Sequence, residues 1–161
     1  MSWEQGRETI DELLARGELQ NVSPDLDVAH QLLETARKHL ASASVIQTND
    51  PEGAYAALYD AARKSCAALL QAQGLRPTSR GGHIAVREAV LAQFSALSGG
   101  QVLRPFDRLR RRRNEMEYPS GESTIDEPEI SEALNRAEQM VGFAEKLIDD
   151  PSCLLTTRPN R

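Results

Sequence analysis

Only two cysteines occur in the 161 residues, Cys66 inside an alanine-rich helical pattern and Cys153 near the C-terminus. Without a CxxC pair or a Cys/His cluster there is no zinc site to build from them, and both read as reduced intracellular thiols. No apolar run approaches the roughly 20 residues that a bilayer span needs. The first residues, Met-Ser-Trp-Glu-Gln, have neither the basic n-region nor the apolar h-region of a secretion signal, so the cytoplasm is the expected compartment. β-Branched runs are few, and no turn dipeptide is flanked by alternating apolar residues, which argues against hairpins and for an all-α chain. An excess of positive charge is missing too. A net charge of −5 argues against wholesale coating of nucleic acid or anionic membrane, so any phosphate binding must be local.

A chain of this length fits one domain with a core that needs no disulfide or metal. Its organisation reads as an N-terminal docking helix over residues 1–22, a helical bundle over 23–150 and a flexible tail over 151–161. The first helix is expected from about Ser2 to Arg16, with Ser2 and Gln5 as a capping box, Gly17 as a stop, and Ile10, Leu13 and Leu14 as a docking face. The second opens with Ser23 as N-cap and Pro24 at the first helical position, and carries Leu26, Ala29, Leu33, Ala36, Leu40 and Ala43 inward. The third opens in the same way with Asp50-Pro51 and runs through Tyr55, Leu58, Ala62, Cys66 and Leu69 to Gly74.

A loop follows at Arg76–Gly82, then a shorter helix over Ile84–Phe94 and a break at Ser98-Gly99-Gly100. An arginine-rich helix is bounded by Pro105 and Pro119, and the last helix starts near Asp126–Pro128 with the stripe Ile130, Leu134, Ala137, Val141, Ala144 and Ile148 before Pro151. Four main helices with short connections predict an up-and-down four-helix bundle with additional short helices.

Positive charge is concentrated in one place. Six of the nineteen Lys and Arg residues lie between Arg104 and Arg113, whereas Asn114–Arg161 holds eleven Asp and Glu against four Arg and Lys. On that helix Phe106, Leu109 and Met116 form an apolar stripe, and Arg113 occupies the intervening inward position. A guanidinium at such a place needs a carboxylate or phosphate partner, because it cannot shed its proton. Glu117, four residues on, can pair with it, and Asn114 and Tyr118 share the same spacing. The plainest account is a solvated face of helix-surface ion pairs, each contributing about 0.3–0.5 kcal/mol. The alternative is a phosphate site, with Arg108, Arg110, Arg111 and Arg112 steering the ligand.

The segment Arg112-Arg113-Asn114-Glu115-Met116-Glu117-Tyr118, late in a bundle and preceded by the Asp50-Pro51-Glu52-Gly53-Ala54-Tyr55 helix, resembles the motif region of HEPN domains. The resemblance spans roughly Pro24 to Ile148. In that family an arginine, often followed by asparagine, precedes a histidine by four to six residues and completes an RNA-cleaving site. Arg113 and Asn114 match it. Four residues later this chain has Tyr118 where many active members carry histidine. The resemblance implies a metal-independent ribonuclease, an effector of a toxin–antitoxin or antiviral module, in which two protomers face one cleft as a homodimer. Arg113 would bind the scissile phosphate and Asn114 would orient it, with no cofactor and no metal. Tyr118, with a reference pKa near 10, is a poor base, and Glu117 is a candidate base only where desolvation outweighs the opposing charge of Arg113. Some members pair with a nucleotidyltransferase antitoxin that attaches AMP to a tyrosine near the motif, which makes Tyr118 a candidate acceptor. The competing reading is a non-catalytic HEPN module that binds RNA or a nucleotide and partners a nucleotidyltransferase.

Three further features carry weaker signals. His83 follows Gly81-Gly82 at a helix N-terminus and is the best alternative general base, although such a histidine is more often a cap or surface residue. Tyr55 and Tyr59 share a helix face, where packing is expected more than base stacking. His30 and His39 lack a third ligand at helical spacing and are assigned no metal.

Overall fold

The computed structural model describes residues 4–118, 124–150 and 154. Among these residues six α-helices follow one another: α1 (Arg7–Ala15), α2 (Leu26–Ile46), α3 (Pro51–Ala72), α4 (Gly82–Phe94), α5 (Phe106–Glu117) and α6 (Glu127–Asp149). A 3-10 turn at Gly100–Leu103 and two short strands, β1 (Leu19–Asn21) and β2 (Leu75–Pro77), complete the order. The long helices α2, α3 and α6 pack along one another, α5 and α4 lie against α3, and α1 docks on α4. This is the all-α bundle that the periodicity predicts.

Burial follows the apolar stripes closely. On α2 the spacing of Ala29, Leu33, Ala36, Leu40 and Ala43 puts all five in the core. The expected Leu26 is the exception: it lies 44 % exposed in the first turn, where the neighbouring helices do not reach it. Helix α3 is central and buried on most of its circumference, because Ala54, Ala61, Ala62 and Ala68 let neighbours approach its backbone. Leu58, Leu69 and Leu70 on it are fully buried, each worth roughly 2–3 kcal/mol in transfer free energy. Cys66 is sealed inside the same helix, and burial pushes its thiol up to about 12, so it is inert while the protein is folded. Cys153 lies outside the described residues, and of the segment 151–161 Leu154 is described, buried against the core.

Three aspartates start three helices. Asp25, Asp50 and Asp126 each accept a bond of 2.9 Å from the backbone N–H three residues on, filling one of the open donors of the first turn. The Asp50-Pro51 start was legible, but the α2 start moves from Ser23 to Asp25. Val22 N–H donates to Gly74 O at 2.9 Å and Asp25 N–H to Gln71 O at 3.1 Å, tying 22–25 to the end of α3 as an extended lead-in. Pro24 belongs to that lead-in, so the helix cannot begin before it is passed. In α1 the N-cap is Gly6, with no side-chain cap. Gln5 instead donates to Ala92 O at 3.3 Å on α4, and Ser2 lies outside the described residues. Ile10 and Leu13 are buried as expected.

The strands β1 and β2 correct the expectation of a loop at Arg76 and of no strand at all. They pair antiparallel with Leu19 opposite Pro77, Gln20 opposite Arg76 and Asn21 opposite Leu75. Three residues per strand leave no periodic signature, and the partner lies more than fifty residues away in sequence, so backbone pairing rather than pattern decides them. This ribbon and a buried amide pair hold α4 in place: Gln73 Nε2 donates to Gln93 Oε1 at 3.2 Å and Gln93 Nε2 to Gln73 Oε1 at 3.0 Å. Gly81 then lets the chain turn into α4 against β1. A Cβ there would sit 2.2 Å from Glu18 O, which leaves no room for a side chain. That close approach sets the position of His83.

Candidate functional site

Helix α5 places its arginines on two sides. Phe106 and Leu109 are buried and Met116 packs against the core, so the residues between them divide into one set facing α3 and α4 and another facing α6. Asp107 gathers the first turn. Its carboxylate meets Arg111 at 2.8 Å, Arg110 at 3.0 Å and Arg87 of α4 at 3.3 Å. Burial opposes ionisation of Asp107, but the three guanidiniums outweigh it and hold the carboxyl below the usual range.

Arg112 turns to α6. Its Nε donates to Glu129 Oε1 at 2.5 Å and a terminal nitrogen to Glu129 Oε2 at 3.3 Å, a two-pronged bond between helices. The same guanidinium reaches Glu115 at 3.4 Å and Thr124 O at 3.4 Å. The hydrogen bond to Glu129 raises the Arg112 pKa further. Arg112 thus fastens α5 to the start of α6. Together with Arg104, Arg108 and Arg111 it lines a cleft of about 450 Å³, whose lining also includes Tyr55, Leu109, Arg136 and the carboxylates of Asp107, Glu115, Glu129 and Glu132. Arg104 and Arg108 are exposed there and form no ion pair with a described residue.

Arg113 lies on the other side. Its side chain is 34 % exposed, half inward as the stripe requires, and its guanidinium carbon sits 6.0 Å from the centre of the Tyr59 ring. Glu117, one turn along the same helix, accepts from it at 2.5 Å. Asn114 is exposed next to it. Tyr118 closes α5 with its N–H on Asn114 O at 3.2 Å, and its side chain is 79 % exposed. Neither the Asn114 nor the Tyr118 side chain bonds to another described residue.

Around Arg113 the structure brings in two residues from outside the motif. Tyr59 of α3 is buried, stacked on Phe106 with ring centres 5.7 Å apart. Its hydroxyl meets His83 Nδ1 at 2.6 Å, with ring centres 5.5 Å apart. Burial pushes the Tyr59 phenol up to about 12, and likewise Tyr55, so both remain neutral hydroxyls. With both rings buried, neither offers a face for base stacking. His83 is held below the usual imidazole range by burial first and then by Arg63 and Arg113, with Arg110 adding to them and Asp60 partly opposing. Position alone singled out His83 in the sequence. The Tyr59 partnership had no signal, because it joins residues 24 apart on different helices.

Among the described residues no group of three His, Cys, Asp or Glu side chains is placed to hold a metal ion, and no helix is long and apolar enough to cross a membrane. The bundle, with an arginine–asparagine pair at the end of its penultimate helix, is matched by the family model of the HEPN domain over residues 29–147. That is well over half of the chain, and the protein belongs to the HEPN family. No curated protein and no solved structure matches it.

Proposed function

We propose that this protein is an RNA-directed HEPN effector that cleaves RNA without a metal ion, through a site centred on Arg113. The supporting observation is the state of that guanidinium: partly buried over Tyr59 and countered by Glu117 of its own helix. An i,i+4 pair of this exposure contributes about 0.3–0.5 kcal/mol. A phosphate, carrying more charge density and a matching fork of oxygens, can displace Glu117 at little cost. Asn114 stands next to the phosphate so bound and orients it, while Glu117, once released, and Tyr118 border the scissile bond.

The chemistry needs no external nucleophile. The ribose 2′-oxygen attacks the adjacent phosphorus, the bond to the 5′-oxygen breaks, and a 2′,3′-cyclic phosphate remains. Arg113 offsets the charge that builds on the phosphoryl oxygens in the transition state. Two protomers meeting at the ends of α5 would present two such arginines to one strand, so a homodimer is part of the proposal. Arg108 and the 71 % exposed Arg111, although Arg111 also meets Asp107, would steer the backbone, whereas the more buried Arg110 and Arg112 are held by Asp107 and Glu129 and act mainly by shaping the site.

The test is incubation of purified protein with labelled transfer RNA in EDTA, followed by analysis of product ends. Fragments ending in cyclic phosphate support the reading. A folded protein that leaves diverse RNAs intact contradicts it.

The cleft favours a second reading, nucleotide binding without turnover. It sets Arg104 and Arg108, which form no ion pair with a described residue, beside Arg111 in the lining of a space of about 450 Å³, large enough for a mononucleotide. A nucleotidyltransferase would then be the partner that uses the bound nucleotide, with the exposed Tyr118 as acceptor of AMP. Calorimetric titration with ATP decides it: salt-sensitive binding that disappears in an Arg104→Ala and Arg108→Ala variant supports this reading, and no binding removes it.

A further inference from the structure

We propose that His83 is the proton-transfer residue of the Arg113 site, performing the task that the motif cannot assign to Tyr118; this rests on the ribonuclease reading. The imidazole is brought to Arg113 by three separate features of the fold. Gly81, which admits no side chain against Glu18 O, and Gly82, with φ of +50°, turn the chain so that His83 lies in the first turn of α4. The Tyr59 hydroxyl fixes the ring at 2.6 Å through Nδ1. The same Tyr59 ring carries the Arg113 guanidinium at 6.0 Å, so one buried phenol aligns the phosphate-binding group and the imidazole.

The bond at Nδ1 sets the chemistry at Nε2. When Nδ1–H donates to the Tyr59 oxygen, Nε2 holds a lone pair, and no described residue occupies it. Burial is the main influence that favours the neutral form. Arg63 from α3 and Arg113 from α5 act in the same sense, Asp60 of α3 opposes them, Arg110 of α5 adds a smaller push toward the neutral form, and the α4 N-terminus adds its own positive dipole. In the reaction Nε2 takes the proton of the ribose 2′-hydroxyl as the 2′-oxygen bonds to phosphorus. The bond to the 5′-oxygen breaks, that oxygen gains a proton from solvent, and the imidazolium returns its proton to solvent. Bound phosphate supplies the negative charge that the imidazolium needs.

The test compares wild type, Arg113→Ala, His83→Asn and His83→Ala on one labelled RNA in EDTA, with folding checked by circular dichroism. Positioned proton transfer contributes about 100-fold or more. His83→Asn is expected to lower kcat by that factor with KM little changed, and to abolish the acid limb of the wild-type pH–rate profile. Added imidazole is expected to restore part of the His83→Ala rate. A packing role alone would lower the rate with the limb intact and give no rescue, and that result overturns the proposal. If Arg113→Ala abolishes cleavage while His83→Asn cleaves normally, the role of His83 falls and the Arg113 reading stands. No cleavage by wild type overturns both.

Discussion

Tyr59 and His83 are joined by a hydrogen bond of 2.6 Å, which ties the middle of α3 to the first turn of α4. The bond also gives the site its electrostatic character, since Tyr59 remains a neutral hydroxyl and His83 is held below the usual imidazole range beside Arg63 and Arg113.

Stability should carry the mark of that depression. The unfolded imidazole titrates near 6.5, so below that pH the unfolded chain binds the proton more readily than the folded one. The contribution is complete above about 6.5 and is lost as the pH falls toward the lower folded value. Melting temperatures measured from pH 7 down to about pH 5 are expected to decline in the wild type, with a flatter profile in His83→Gln. Equal slopes in the two proteins would show that His83 does not carry this linkage.

The arginines of α5 are expected to separate by partner. Arg112→Ala breaks the two-pronged bond to Glu129 that fastens α5 to α6 and is expected to cost about 1–2 kcal/mol in urea unfolding. Arg111→Ala, on a side chain 71 % exposed, should lie within about 0.5 kcal/mol of wild type. The reverse order would mean that Asp107, not Glu129, organises the helix.

Gly81→Ala tests how α4 is seated. A methyl group 2.2 Å from Glu18 O and 2.6 Å from the Ala85 Cβ forces the backbone apart, so destabilisation of about 1–3 kcal/mol is expected. Because the same turn presents His83, cleavage should fall more than stability alone accounts for. An unfolding midpoint like that of wild type would contradict this picture of the turn.

Much of the bundle could be read from the sequence, because alternating spacings of three and four write helix faces directly and aspartate before a helix writes its start. The Asp50 cap, the start of α6 near Asp126, the buried stripes of α3 and α6 and the half-inward placement of Arg113 all follow from local pattern. The α2 cap did not, since Pro24 looks like a first helical residue until Val22 and Asp25 are tied to the end of α3. At the site, Arg113–Glu117 was visible as a pair of neighbours on one helix, whereas the gathering of Arg87, Arg110 and Arg111 at Asp107 was not singled out. The Tyr59–His83 and Arg112–Glu129 contacts were not visible, because they depend on how helices are laid against one another. The division of the arginine run into two faces has the same origin.

The most direct measurement is kcat/KM for cleavage of one defined RNA in EDTA by wild type and Arg113→Ala, at matched folding. Loss of about 100-fold or more, with cyclic-phosphate ends in the wild-type products, is the result expected if Arg113 holds the scissile phosphate. Cleavage by Arg113→Ala at the wild-type rate would contradict the account.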